Sequence, residues 1–173
     1  MKKLLRTAAF ASLFLILTAC PYESKVPITE ANKAINKTLL GNWYKDGEMD
    51  KKYPDEYYNI EAKDDNTYRI AKLEFNSEDS TYKEEIYISH LSNLKDKNDK
   101  KYSFLNMRKD GKYYLHRIKL SSERFVLYEL TDNIDEEFDM NEELQDFVKQ
   151  NMHLSFFYNK DEVTYYKGNH EKN

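Results

Sequence analysis

A mainly β chain, a single antiparallel eight-stranded meander closed as a barrel with one α-helix near the C-terminus, is the fold class the sequence predicts. Three observations predict it. Short runs rich in Tyr, Ile, Val and Phe recur between turn-prone clusters. Apolar and polar residues alternate within those runs. A meander of this length leaves two long unpaired edges unless its ends meet. An open sheet or a β-sandwich with one helix is the alternative that the same alternation permits.

The first element is a leader. Lys2, Lys3 and Arg6 precede an apolar run from Ala8 to Leu17, shorter than the roughly 20 residues a membrane crossing needs. Leu17-Thr18-Ala19-Cys20 resembles a bacterial lipobox. That resemblance implies a signal peptide over residues 1–19, cleavage before Cys20 and lipidation of its thiol, a soft nucleophile suited to taking an acyl-bearing group. Buried methylenes contribute about 0.8 kcal/mol each, so two or three chains hold firmly where one does not. The expected address is therefore the cell envelope, with the membrane as partner through Cys20. Pro21 stands where aspartate directs retention in the inner membrane, which favours the outer one.

Cys20 is the only cysteine of the 173 residues, so an exported chain has no intramolecular disulfide and depends on burial. Loss of three leader cations moves the formal charge from −4 to −7, a balance that argues against nucleic acid as a partner. Residues 20–38 read as a tether bearing Pro21 and Pro27, in which Thr29 caps a short helical turn carrying Ala31, Ala34 and Ile35. The remaining residues, 39–173, suffice for one domain.

Candidate strands run over 41–45, 56–63, 67–75, 81–91, 101–108, 112–120, 124–131 and 162–167. Turn residues at 64–66, 76–80, 110–111 and 121–123 join them as hairpins, and the charged "NLKDKNDK" at 93–100 is the longest link among them. Alternation places Tyr58, Ile60 and Ala62 on one face, as it does Ile86, Ile88 and His90, and Tyr114, His116, Ile118 and Leu120. In the third run the apolar phase changes between Ile70 and Ala71, as a β-bulge or a mistaken register would make it. Asp139 with Glu142 has capping-box spacing. Leu144, Phe147, Val148 and Met152 then form an apolar helical stripe, suited to covering the sheet or plugging a barrel mouth.

"GNWY" at the first strand of such a meander resembles the Gly-x-Trp signature of lipocalins and related calycins. The resemblance implies that Gly41 lets the chain turn into strand one and that the Trp43 ring closes the narrow end. The family's arginine that stacks on this tryptophan has no arginine equivalent here; Lys167 is the nearest candidate.

No Gly-x-Ser-x-Gly elbow, His-Glu-x-x-His or glycine-rich phosphate loop is present, and the chain has only four glycines. The expectation is a non-enzymatic protein without cofactor or metal. Fifteen tyrosines supply apolar rings with polar tips, which suit a small apolar or amphipathic ligand in a cup. The candidate lining is Tyr58, Ile60, Ile86, Ile88, His90, Tyr114, His116 and Tyr128. A second expectation is an accessory protein of an envelope complex with a solid barrel and an exposed tyrosine patch.

Overall fold

The computed structural model describes residues 22–131, 133–160 and 162–168. The leader, the Leu17-Thr18-Ala19-Cys20 stretch and Pro21 lie outside the described residues. The strands are β1 (Glu23–Ser24), β2 (Gly41–Lys45), β3 (Glu56–Ala62), β4 (Tyr68–Asn76), β5 (Thr81–Lys95), β6 (Lys101–Lys109), β7 (Lys112–Leu120), β8 (Arg124–Glu129) and β9 (Val163–Gly168), with one helix, α1 (Asn141–Asn151), between the last two. From β2 to β9 each strand pairs antiparallel with the next, and β9 returns to β2, so eight strands close into a barrel. Trp43 opposite Lys167 and Tyr44 opposite Tyr166 mark the seam. Closure satisfies the backbone groups that an open meander leaves at its edges.

The strand boundaries follow local chemistry. Asp110 and Gly111 both take positive φ, 51° and 81°, the backbone a two-residue hairpin needs to match strand twist. β5 runs four residues beyond its expected end, to Lys95, because Asp96 Oδ1 accepts from the backbone N–H of Asn98 (2.8 Å) and Lys100 (2.9 Å). That knot confines the turn, and 92–95 pairs with 101–104.

The expected bulge in β4 is absent. β4 pairs without slip from Tyr68–Ala62 to Glu74–Glu56 on one side, and from Tyr68–Ser89 to Asn76–Thr81 on the other. Tyr68 and Ile70 face the interior cluster with Trp43 and Phe125, so Lys72 and Glu74 point inward as well, and Ala71, Leu73 and Phe75 point out. The polarity of the two faces changes along the barrel while the register does not.

The segment read as a tether is packed against the wall from Tyr22 onward. Glu23 pairs with Tyr114 on β7, just beyond the point where β8 leaves that strand. Ile28 is buried, and its N–H donates to Asn106 Oδ1 at 2.8 Å. Thr29 meets Ser92 through its hydroxyl, and its carbonyl lies 2.6 Å from His90 Nε2. The helical turn forms later than expected, as a 3-10 turn over Lys37–Leu39 with Asn36 Oδ1 accepting from Thr38 N–H. Thr29 does not cap it because its hydroxyl is engaged by the barrel wall.

Helix α1 covers the outside of the barrel and does not plug the mouth. Leu144, Val148 and Met152 are buried with Phe104 and Leu115, outward residues of β6 and β7. The helix begins after Met140, which provides no side-chain cap. Asp139, the expected capping residue, lies 3.4 Å from Lys25 Nζ instead.

Gly41 has φ of 121°, and a Cβ there would sit 3.3 Å from Lys167 Cε. Backbone strain of this kind costs about 1–3 kcal/mol for a residue with a side chain. Gly41→Ala is therefore expected to lower stability by roughly that amount, read as a lower urea midpoint at unchanged slope.

Candidate functional site

The barrel interior has two tiers. At the closed end the Trp43 indole is fully buried, its centroid 4.8 Å from that of Phe125, and Nε1 donates to the Leu39 carbonyl at 2.8 Å. Lys167 Nζ lies 5.3 Å from the indole and donates to Thr38 O at 2.9 Å, taking the place the family resemblance gives to arginine. Above them Tyr58, Ile60, Ile70, Leu105, Met107, Phe125 and Leu127 leave a void of only about 10 Å³. That is no more than one water needs. The lower barrel is solid.

The upper tier is a polar cup of about 360 Å³ at the mouth, floored by Tyr58 and Met107. Strand parity assembles it. Lys72 stands opposite Tyr58 on β3 and opposite Glu85 on β5. Its ammonium contacts Glu74 at 2.6 Å and Glu56 at 3.1 Å. Glu56 also accepts from the Tyr165 hydroxyl. Glu85 contacts Lys109 and Lys83, each at 3.2 Å, and accepts from the Tyr87 hydroxyl at 3.0 Å. Glu23 closes the gap beside β7, held by Lys112 and by the Tyr114 hydroxyl.

These contacts set the ionisation of the cup. Burial alone would raise the Glu85 carboxyl, but hydrogen bonds from Tyr87, Lys109 and Lys83 outweigh it and bring it down to about 2. Burial alone would lower the Lys72 ammonium; Glu74 and Glu56 reverse this and hold it above the ordinary lysine value. Burial pushes the Tyr58 hydroxyl up to about 12. His116 is lowered by burial, which outweighs the attraction of Glu129, 3.7 Å from its Nε2. Its Nδ1 is buried without a partner at hydrogen-bond geometry.

The expected ligand-lining residues divide. Tyr58, Tyr114 and His116 line the cup, and Ile60 lies below it in the filled tier. Ile86, Ile88, His90 and Tyr128 do not face the interior. The inward set on β5 is Glu85, Tyr87, Ser89 and Leu91, because Tyr87 pairs with Ile70 and Leu91 with Leu105. His90 is spent on the Thr29 carbonyl outside the wall, and Tyr128 pairs with Arg117 and meets the Tyr158 ring edge-on there. Face assignment failed on β5 because both faces carry apolar residues. Missed were Lys72, Glu85, Lys109 and Glu129, charges that a strand usually turns to water. Carrying the Tyr68-Ile70 parity through to Lys72 and Glu74 is the signal that would have found the first of them.

A larger depression, about 680 Å³, lies on the outer wall between Tyr57, Asn59, Glu61 and Glu84. Both are about equally open to solvent; the cup is the stronger candidate for holding a small molecule because ammonium, carboxylate and tyrosyl groups from several strands converge on it.

Among the described residues no group of three or more His, Cys, Asp or Glu side chains is placed to hold a metal ion. No family model, curated protein or solved structure matches the chain. Fold and site together define a class: an eight-stranded antiparallel closed barrel with a solid floor, a polar cup and an external helix. This architecture is compatible with a lipocalin-like fold.

Proposed function

We propose that this chain is a non-catalytic envelope lipoprotein, anchored through Cys20, whose barrel mouth binds a small amphipathic ligand. The observation that carries the binding role is the cup of about 360 Å³, where the rings of Tyr58, Tyr87 and Tyr114 meet fixed ammonium and carboxylate groups. The ligand class follows from that chemistry. Tyrosine rings accept apolar surface, while Lys109 and Glu85 offer charges of both signs. The mutual pairing of these charges supports binding over catalysis, since a general acid or base must be free to exchange its proton.

The experiment is native mass spectrometry of the chain from Pro21 onward, purified from its producing cells. The expected result is a retained molecule of small mass, lost in a Met107→Trp variant whose indole fills the cup floor. Wild-type chain that carries nothing, and whose melting temperature is unmoved by any amphiphile tested, would end the ligand reading.

One observation favours a second reading, an accessory protein of an envelope complex. The lower barrel is solid, and the outer wall bears an aromatic group in which Tyr44 stacks on Tyr57 (5.3 Å) and Tyr53 on Phe75 (5.1 Å). A stoichiometric protein partner recovered from detergent-solubilised membranes, with no small molecule in the cup, supports that reading.

A further inference from the structure

We infer that the cup selects a cationic amphiphile, a small apolar body bearing a primary amine, and that the Glu129 carboxylate is the group that takes its ammonium. This rests on the ligand-binding reading proposed above and narrows it to one chemical class.

The selectivity follows from which polar atoms of the cup are already engaged. Three carboxylates line it, Glu23, Glu85 and Glu129. Glu23 Oε1 accepts from the Tyr114 hydroxyl at 3.1 Å, and its Oε2 accepts from Lys112. Glu85 Oε1 meets Lys83, and its Oε2 meets both Lys109 and the Tyr87 hydroxyl. Glu129 differs. Its Oε2 accepts from Asn159 Nδ2 at 2.9 Å, a neutral donor. Its Oε1 has only the His116 ring beside it, with Nε2 at 3.7 Å, beyond hydrogen-bond reach. Burial holds the His116 imidazole below its ordinary value, so at neutral pH the ring brings Glu129 no positive charge. Among the described residues, no lysine or arginine forms an ion pair with Glu129.

The donors of the cup are committed in the opposite sense. Lys72 is held between Glu56 and Glu74, Lys109 lies on Glu85, and the Tyr87 and Tyr114 hydroxyls each donate to a carboxylate. A ligand carboxylate or phosphate would have to break an existing pair to find a partner, and it would meet the Glu129 charge uncompensated. A ligand ammonium finds an acceptor oxygen that no protein donor uses. Strand register puts that oxygen beside apolar surface. Glu129 ends β8 opposite His116, and Tyr114 precedes His116 on the same face of β7. The Tyr87 and Tyr114 rings meet edge to face with centroids 6.1 Å apart. With Tyr58 and Met107 they offer contact for the ligand's body, and tyrosine ring faces also attract a cation.

The test titrates hexylamine, hexanol and hexanoate, matched in chain and different in head group, into the full chain held in neutral detergent micelles, with protein-free micelles as the blank. Calorimetry at neutral pH should show the amine binding about tenfold more tightly than the alcohol, the advantage of one hydrogen bond to a charged group, and hexanoate more weakly than either. Glu129→Gln should bring the amine down to the level of the alcohol and leave the alcohol unmoved. Should that variant fail to fold, Glu129→Asp draws the carboxylate back by a methylene and should shrink the same preference. Hexylamine no tighter than hexanol, hexanoate tighter than either, or an amine preference untouched by the change at Glu129 overturns the amine inference and leaves the cup a binding site of another selectivity. Absence of binding by all three removes this inference together with the ligand reading beneath it.

Discussion

Trp43→Ala should lower the stability of the barrel by about 3–5 kcal/mol, the range for deleting a buried indole or phenyl ring. Three losses coincide at that position. The ring vacates the space against Phe125 and Leu39 at the closed end. The Leu39 carbonyl loses its donor in a buried place, and the Lys167 ammonium loses the ring face it lies over. Set against a total of about 5–15 kcal/mol for a domain of this kind, the change leaves the chain marginal. Trp43→Phe keeps an aromatic ring and removes only the indole donor, so it should cost less, about 1–3 kcal/mol for the unpaired carbonyl and the reduced ring. Thermal unfolding followed by far-ultraviolet circular dichroism measures both variants. Native emission from this single tryptophan should be blue-shifted, as full burial requires. Emission characteristic of a water-exposed indole, or a neutral Trp43→Ala, would remove the tryptophan from the floor of the barrel.

The mouth network carries the second large effect. Lys72→Met leaves Glu56 and Glu74 facing each other across β3 and β4 without their shared cation. Removing one partner of a fully buried pair costs about 3–5 kcal/mol; here the groups keep some solvent, and about 2 kcal/mol is expected at neutral pH. Adding Glu56→Gln should recover part of the loss, because the remaining carboxylate then has no like neighbour. The same network makes the barrel acid-labile. The folded Glu85 carboxyl is depressed from 4.5 to about 2, so its contribution is complete above pH 4.5 and disappears as pH falls through about 2. Linkage puts this contribution at up to about 3 kcal/mol. His116 acts in the same direction, because its folded value lies below the ordinary one: stability is complete above about pH 6.5 and falls on acidification below it. Glu85→Gln should flatten the acid limb of a stability-against-pH curve, and an unchanged limb would place the acid-sensitive group elsewhere.

The meander was legible because it follows from local rules, and its closure because an open one would leave two unpaired edges. Turn residues such as Asp110-Gly111 fix hairpins, alternation marks strands, and Gly41-x-Trp43 marks where the first strand starts. These signals act within a few residues, and each stands in one stretch of chain. Tyr58, Tyr114 and His116 were correctly placed inside because their strands have one clearly apolar face. β5 misled because its two faces are similar in polarity over Glu85 to Leu91, and only pairing with β4 decides between them. The charged cup was hidden for the opposite reason. Lys72, Glu85 and Lys109 look like solvated residues one at a time, and their inward setting is tolerable only because lysine and glutamate from neighbouring strands neutralise one another there.

The sequence by itself determined the strand order, the hairpins and the amphipathic helix, since backbone sterics and local hydrophobic period act along the chain; the roles of Gly41 and Trp43 were read from the family resemblance of the Gly-x-Trp stretch. Only the tertiary structure decided that residues 22–40 are bound to the wall, that α1 covers the outside and that the floor is full while the mouth is polar. Those outcomes depend on residues far apart in sequence: Ile28 with Asn106, Leu144 with Phe104, and the Tyr44 ring lying where a Cβ on Gly168 would fall, 2.2 Å from its Cε2. Burial and charge pairing between such residues are set by which surfaces meet when the barrel closes, and no window of sequence contains both partners.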